Sequence, residues 1–188
     1  MARDPKYDDL AAARAGWQHR GQRRPPWALT PEPGQESVWD FPRPAVCEPT
    51  PAHLVVHFDG VILAETRRGL RALETAHPPT YYFPAENVRQ DLLRPRAGTT
   101  VCEWKGTAHY WDVVGPSGRC LRGAAWCYPR PFPGFEAIAG CFAFYPQDMD
   151  ACLVDGERAR AQPGGFYAGW VTSTLAGPFK GEAGSAGW

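Results

Sequence analysis

The chain has 188 residues, 44% apolar and 21% charged, with 20 Lys plus Arg against 20 Asp plus Glu. That composition fits one soluble domain with extensions, and zero net charge disfavours binding driven by a nucleic-acid backbone. No stretch reaches the roughly 18 apolar residues of a membrane span, and the N-terminus leads into no apolar signal segment, so the expected location is the cytoplasm.

Twenty Gly and 20 Pro stand beside eight Trp, seven Tyr and nine Phe. Disordered chains are poor in aromatics, so the pairing indicates short strands and tight turns around a ring-rich core. The expected fold class is all-β, with one or two short helices.

Residues 1–51 read as a Pro- and Trp-rich extension. Asp4-Pro5 offers a helix cap followed by proline, predicting a short helix to about Arg14, closed by Gly16. Trp17, Trp27, Trp39 and Phe41 then read as rings that dock a winding segment. Six Lys or Arg against three Asp before Thr30 leave this head a local charge of +3. It is either a solvated extension or a surface for a partner.

Residues 52–150 read as the β core. Leu54–Phe58, Asp59-Gly60 and Val61–Glu65 predict a hairpin, because both turn positions require positive φ. Pro84–Leu93 predicts one or two helical turns, ended by Pro95. Thr99–Lys105, Ala108–Val114 and Arg119–Tyr128 predict a meander, and Ile138–Tyr145 a further strand. Residues 151–188 form a Gly- and aromatic-rich tail, with a strand at Val171–Leu175, packed over a sheet edge.

Six cysteines occur without a Cys-x-x-Cys pair, and Cys120 and Cys127 stand seven apart. Free thiols are expected, with no structural zinc and no other cofactor. Cys102 and Cys127, each near a Trp, are the nucleophile candidates.

Three polar clusters carry candidate chemistry. Glu74 and His77 can form an oriented acid–base pair, or His77 can be a turn histidine bonded to backbone. Lys105, beside Tyr110 and Trp111, can hold a carboxylate or phosphate as a point charge, or be a solvated turn lysine. No metal is expected; were one bound, Asp148 and Asp150 would share a strand face toward it.

These clusters also carry a family resemblance. Leu73-Glu74-Thr75-Ala76-His77-Pro78-Pro79-Thr80-Tyr81-Tyr82, Cys102-Glu103-Trp104-Lys105-Gly106 and Ala124-Ala125-Trp126-Cys127-Tyr128 resemble the domain-of-unknown-function family 427, in its long bacterial and plant form. The resemblance implies a tent-like β domain, similar to methionine sulfoxide reductase B and the ligand-binding domain of cereblon. Such relatives often bind small ligands in an aromatic pocket, and often hold zinc on Cys-x-x-Cys pairs that this chain lacks. The resemblance also implies a nucleotidyltransferase-like alternative, yet the only Gly-Ser, Gly184-Ser185, follows Asp148 and Asp150 instead of preceding them.

The leading expectation is therefore a small polar or anionic ligand in an aromatic pocket. Glu74, His77 and Lys105 are its polar handles, and Tyr82, Tyr110, Trp111, Trp126 and Tyr128 its walls. A metal-dependent enzyme using Glu74 and His77 is the alternative, and a protein-interaction module, including a homodimer, is the third.

Overall fold

The computed structural model describes residues 6–188, with side chains from Leu10 onward. Helix α1 (Lys6–Ala15) ends where the Gly16 N–H donates to the Ala12 and Ala13 carbonyls at 3.1 and 3.3 Å. The expected cap at Asp4-Pro5 lies outside the described residues.

The chain is otherwise mostly strand, as expected. In order these are β1 (Glu36–Ser37), β2 (Val46–Thr50), β3 (Leu54–Phe58), β4 (Val61–Thr66), β5 (Gly69–Glu74), β6 (His77–Tyr82), β7 (Leu93–Cys102) and β8 (Gly106–Val114). There follow β9 (Cys120–Cys127), β10 (Phe142–Phe144), β11 (Ala151–Val154), β12 (Glu157–Arg158), β13 (Arg160–Ala161), β14 (Trp170–Val171) and β15 (Leu175–Ala176). They form sheets ordered β10-β9-β8-β7, β12-β11-β3-β4 and β2-β5-β6, with small pairs β1-β15 and β13-β14.

The Asp59-Gly60 turn joins β3 to β4, with φ of 51° and 77° at its two residues. Both angles are positive, which is why Asp-Gly closes this hairpin. The β7–β8–β9 meander also forms. Its edge strand β7 starts earlier than expected and runs through Pro95, which pairs in register with Trp111. An edge strand tolerates a missing N–H on its open side, so Pro95 does not end the element. Pro84–Leu93 holds two 3-10 turns, Ala85–Asn87 and Gln90–Leu92.

Two expected strands are shorter. Within Ile138–Tyr145 only Phe142–Phe144 pairs, because a 3-10 turn at Glu136–Ile138 consumes the start. Val171–Leu175 is broken by a turn in which the Leu175 N–H donates to the Thr172 carbonyl (3.2 Å) and the Thr172 and Thr174 hydroxyls bond at 2.8 Å. Threonine hydroxyls compete with the ladder in this way.

Strand alternation separates two cores on the faces of the β7–β10 sheet. Ala125 and Cys127 of β9 face one core with Leu54, Phe58, Phe142 and Phe144. Trp126, and Tyr128 just beyond, face the other with Tyr82, Ala108 and Ala143. A third cluster, around the buried Val38, Trp39 and Phe41, ties the head to Leu73, Ala76 and Leu175. The head is further fixed by β1 pairing with β15 and by the Trp39 Nε1–H donating to the Pro178 carbonyl (3.1 Å). Sheet pairing crosses residues 51 and 150 as well: β2 adds to β5, and β11 lies beside β3. Among the described residues no helix is long and apolar enough to cross a membrane.

Candidate functional site

The site begins at the β5–β6 hairpin, whose register sets Glu74 opposite His77. Glu74 Oε1 accepts from Arg43 Nε and from Trp104 Nε1, each at 3.1 Å. Arg43, fully buried, also donates to the His19 carbonyl (2.9 Å) and the Thr75 carbonyl (2.8 Å), and its guanidinium lies 4.3 Å over the Trp17 ring. Burial works against ionising Glu74, but His77, Lys105, Arg43 and the Trp104 N–H outweigh it and hold its carboxyl below the usual range.

His77 does not hydrogen-bond Glu74. Its Nδ1 faces Gln162 Nε2 at 2.9 Å, and the same Nε2 donates to the Lys180 carbonyl at 2.8 Å. A carbonyl can only accept, so the group between them is the amide NH₂, and His77 Nδ1 is an acceptor. The imidazole is therefore neutral, with its proton on Nε2. Burial, joined by Arg43, Lys105 and Lys180, pushes its pKa down to about 4 against the pull of Glu74.

Lys105 sits at the β7–β8 turn, just before Gly106, whose φ of 102° favours glycine. Among the described residues its ammonium has no hydrogen bond and no carboxylate within 4 Å; it lies 5.9 Å from the Phe135 ring. Burial opposes its charge, yet Cys102, Tyr82, Tyr128 and Glu74 hold its pKa well above the ordinary lysine value. The hydroxyl of fully buried Tyr82 is also orphaned: no group meets hydrogen-bond geometry at its oxygen. Trp126 approaches that oxygen only as a weak donor, which leaves the hydroxyl proton without an acceptor.

Around these groups lies a cavity of about 720 Å³, within the range of small-molecule sites. Tyr110, Trp126 and Tyr145 form a wall, with Trp126 and Tyr145 rings 4.5 Å apart and the Tyr110 hydroxyl 2.7 Å from Thr100 Oγ1. Tyr167 lies edge-on to His77 at 4.7 Å. Lys105 lines this end with Glu74 and Glu103, and Arg43 and Lys180 lie behind it near His77.

Residues 46–155 match the family described as Domain of unknown function (DUF427). The chain belongs to the DUF427 family. No curated protein matches it. The DUF427 span supplies Glu74, His77, Tyr82, Lys105, Tyr110, Trp126 and Tyr128, all of which line the cavity. Trp17, Gln162 and Tyr167, which complete it, come from outside that span.

Three singled-out residues, Trp111, Asp150 and Cys127, do not line the DUF427 cavity. Trp111 is on the opposite face of β8, 5.1 Å from the Phe142 ring, because neighbouring strand residues point to opposite sides. Asp148 lines the cavity, but Asp150 does not. The segment between them turns instead of extending, and Asp150 is bonded to Arg119 (2.5 Å) and to the Asp59 N–H (2.5 Å). Among the described residues no three His, Cys, Asp or Glu side chains gather as a metal cluster.

All six cysteines are unpaired. Cys127 is buried in the core away from the cavity, and burial pushes its thiol up to about 11, which works against the thiolate at neutral pH. Cys102 borders the cavity. The sequence reading missed Arg43, Trp17, Gln162, Tyr145 and Tyr167. Two of these left a signal: Trp17, read as a docking ring, and Tyr145, which ends the apolar run that holds β10.

Proposed function

We propose that this DUF427 chain binds a small anionic ligand in the aromatic cavity, with Lys105 as its counter-ion. The observation that carries the reading is the Lys105 ammonium, which faces a ring-walled cavity with no bond to any described group. A half-buried ammonium in that position gives up part of its water without gaining a partner, and a carboxylate or phosphate restores the balance. The orphaned Tyr82 hydroxyl and the His77 Nε2–H are neutral donors that can serve the same anion. Glu74 is engaged by Arg43 and Trp104, so its role is to fix the hairpin and not to oppose the ligand.

Titration calorimetry with phenyl phosphate and benzoate tests this. Wild type should bind at least one of them, and Lys105→Met should weaken that binding about tenfold or more, equivalent to ~1.4 kcal/mol. Equal affinity in the two proteins, or no binding of either anion to wild type, overturns the reading.

A further inference from the structure

The mouth of the cavity carries a second pair of charges without protein partners, the exposed Arg122 and the half-buried Asp148. Both line the cavity, and among the described residues neither side chain has a hydrogen bond or an ion pair, with each other or with any other group. The neighbouring cations are engaged: Arg96 pairs with Asp112 at 3.3 Å, and Arg94 donates to the Asp91 and Leu93 carbonyls.

The backbone explains why Arg122 and Asp148 share one end. β8 and β9 pair Val113 with Leu121 and Trp111 with Ala125 across a bulge, so Arg122 stands beside Asp112. The Gly123 N–H fixes that arrangement by donating to Asp112 Oδ1 at 2.7 Å. Next along, the Tyr145 N–H donates to the Ala124 carbonyl (3.3 Å), and the Asp148 N–H to the Tyr145 carbonyl (3.1 Å). Lys105 is at the other end of β8. From Gly106 to Asp112 the strand runs about 20 Å, and the paired Tyr110 and Trp126 lie between.

The cavity thus presents one unpaired cation at its inner end, flat rings along its middle, and an unpaired cation with an unpaired carboxylate at its outer end. Burial pushes the Asp148 carboxyl up, and no partner counters it. A simple anion would use Lys105 and touch neither of the two solvated outer charges. A ligand with a zwitterionic end answers both.

Resting on the binding reading above, we propose that the ligand is a free aromatic α-amino acid bearing an anionic group on its ring. The ring substituent meets Lys105 and the Tyr82 hydroxyl, and the ring lies along Tyr110 and Trp126. The α-carboxylate meets Arg122 and the α-ammonium meets Asp148. Recognition of both α-groups selects the free amino acid over a residue inside a peptide, where each is consumed in an amide.

Four probes separate the parts: phenyl phosphate, O-phospho-L-tyrosine, O-phosphotyramine (no carboxylate) and 3-(4-phosphonooxyphenyl)propanoate (no ammonium). On the full chain, O-phospho-L-tyrosine should bind at least about tenfold more tightly than phenyl phosphate, and each truncated probe should fall between them. Arg122→Gln should erase the gain from the carboxylate, and Asp148→Asn the gain from the ammonium, with phenyl phosphate unchanged in both. Equal binding of phenyl phosphate and O-phospho-L-tyrosine overturns the proposal while leaving the Lys105 reading intact. So does a uniform loss across all four probes in either variant. Failure of phenyl phosphate to depend on Lys105 instead strikes the underlying reading.

Discussion

Gln162 Nε2 stands 2.9 Å from His77 Nδ1 and 2.8 Å from the Lys180 carbonyl, which makes one amide the link between hairpin, tail and site. Because that amide donates twice, His77 is held as the neutral tautomer that carries its proton on Nε2. Imidazole NMR should show this tautomer at pH 7 and a protonation midpoint near 4. A midpoint near the ordinary 6.5, or a proton on Nδ1, would contradict the arrangement.

The same depression has a stability consequence. The unfolded imidazole takes up a proton near pH 6.5 and the folded one near 4, so between those values the unfolded state binds more protons. The contribution is complete above about pH 6.5, declines as pH falls, and is gone below about 4. Its size is on the order of 1–3 kcal/mol. Urea denaturation at pH 4 to 7 should show this slope, and His77→Asn should flatten it.

Arg43 and Glu74 form the most buried ion pair described, with side chains 0% and 16% exposed. Removing one partner of such a pair leaves a buried charge uncompensated, at a cost of about 3–5 kcal/mol. Arg43→Met should therefore lower the urea midpoint sharply. The double variant Arg43→Met, Glu74→Gln should recover part of the loss, because the stranded carboxylate is gone. An unchanged midpoint in Arg43→Met would show that the pair is solvated and not structural.

How legible this site was from sequence depends on how local each signal is. Asp59-Gly60 announced its hairpin because both residues are suited to the angles the turn imposes. Tyr110 and Trp126 were found as ring-rich strand positions, and they do face each other across β8 and β9. Trp111 was grouped with Tyr110 through adjacency, whereas in a strand adjacency means opposite faces. Gln162 is 85 residues from His77, and Arg43 is 31 from Glu74. No local period encodes contacts of that span, so the groups that set the His77 tautomer and the Glu74 charge emerge only from the fold.

The head packs into the fold through Val38, Trp39 and Phe41, which cluster with Leu73, Ala76 and Leu175. Val38 and Trp39 are completely buried, and Phe41 is 5% exposed. Truncating a buried ring costs about 3–5 kcal/mol, against a total stability of about 5–15 kcal/mol. Deleting residues 1–50 should abolish the cooperative unfolding transition, and Trp39→Ala alone should lower its midpoint strongly. A folded, stable core after the deletion would restore the view of the head as a separable partner surface.

Tyr82 separates stability from binding. Its hydroxyl is buried at the cavity wall with no acceptor for its proton, and such a group costs about 1–3 kcal/mol of folding free energy. Tyr82→Phe removes the orphaned oxygen and keeps the ring that packs 6.4 Å from Tyr128. The free variant should thus be as stable as wild type or more so, by up to about 1 kcal/mol. Its affinity for phenyl phosphate should nevertheless fall, since a donor beside Lys105 is lost. A residue that serves only packing would move neither quantity, and one whose hydroxyl supports the fold would lose stability; only a group reserved for a ligand gains stability while losing affinity. Thermal denaturation and titration calorimetry on the same preparation measure both, and a loss of stability with unchanged affinity would remove Tyr82 from the site.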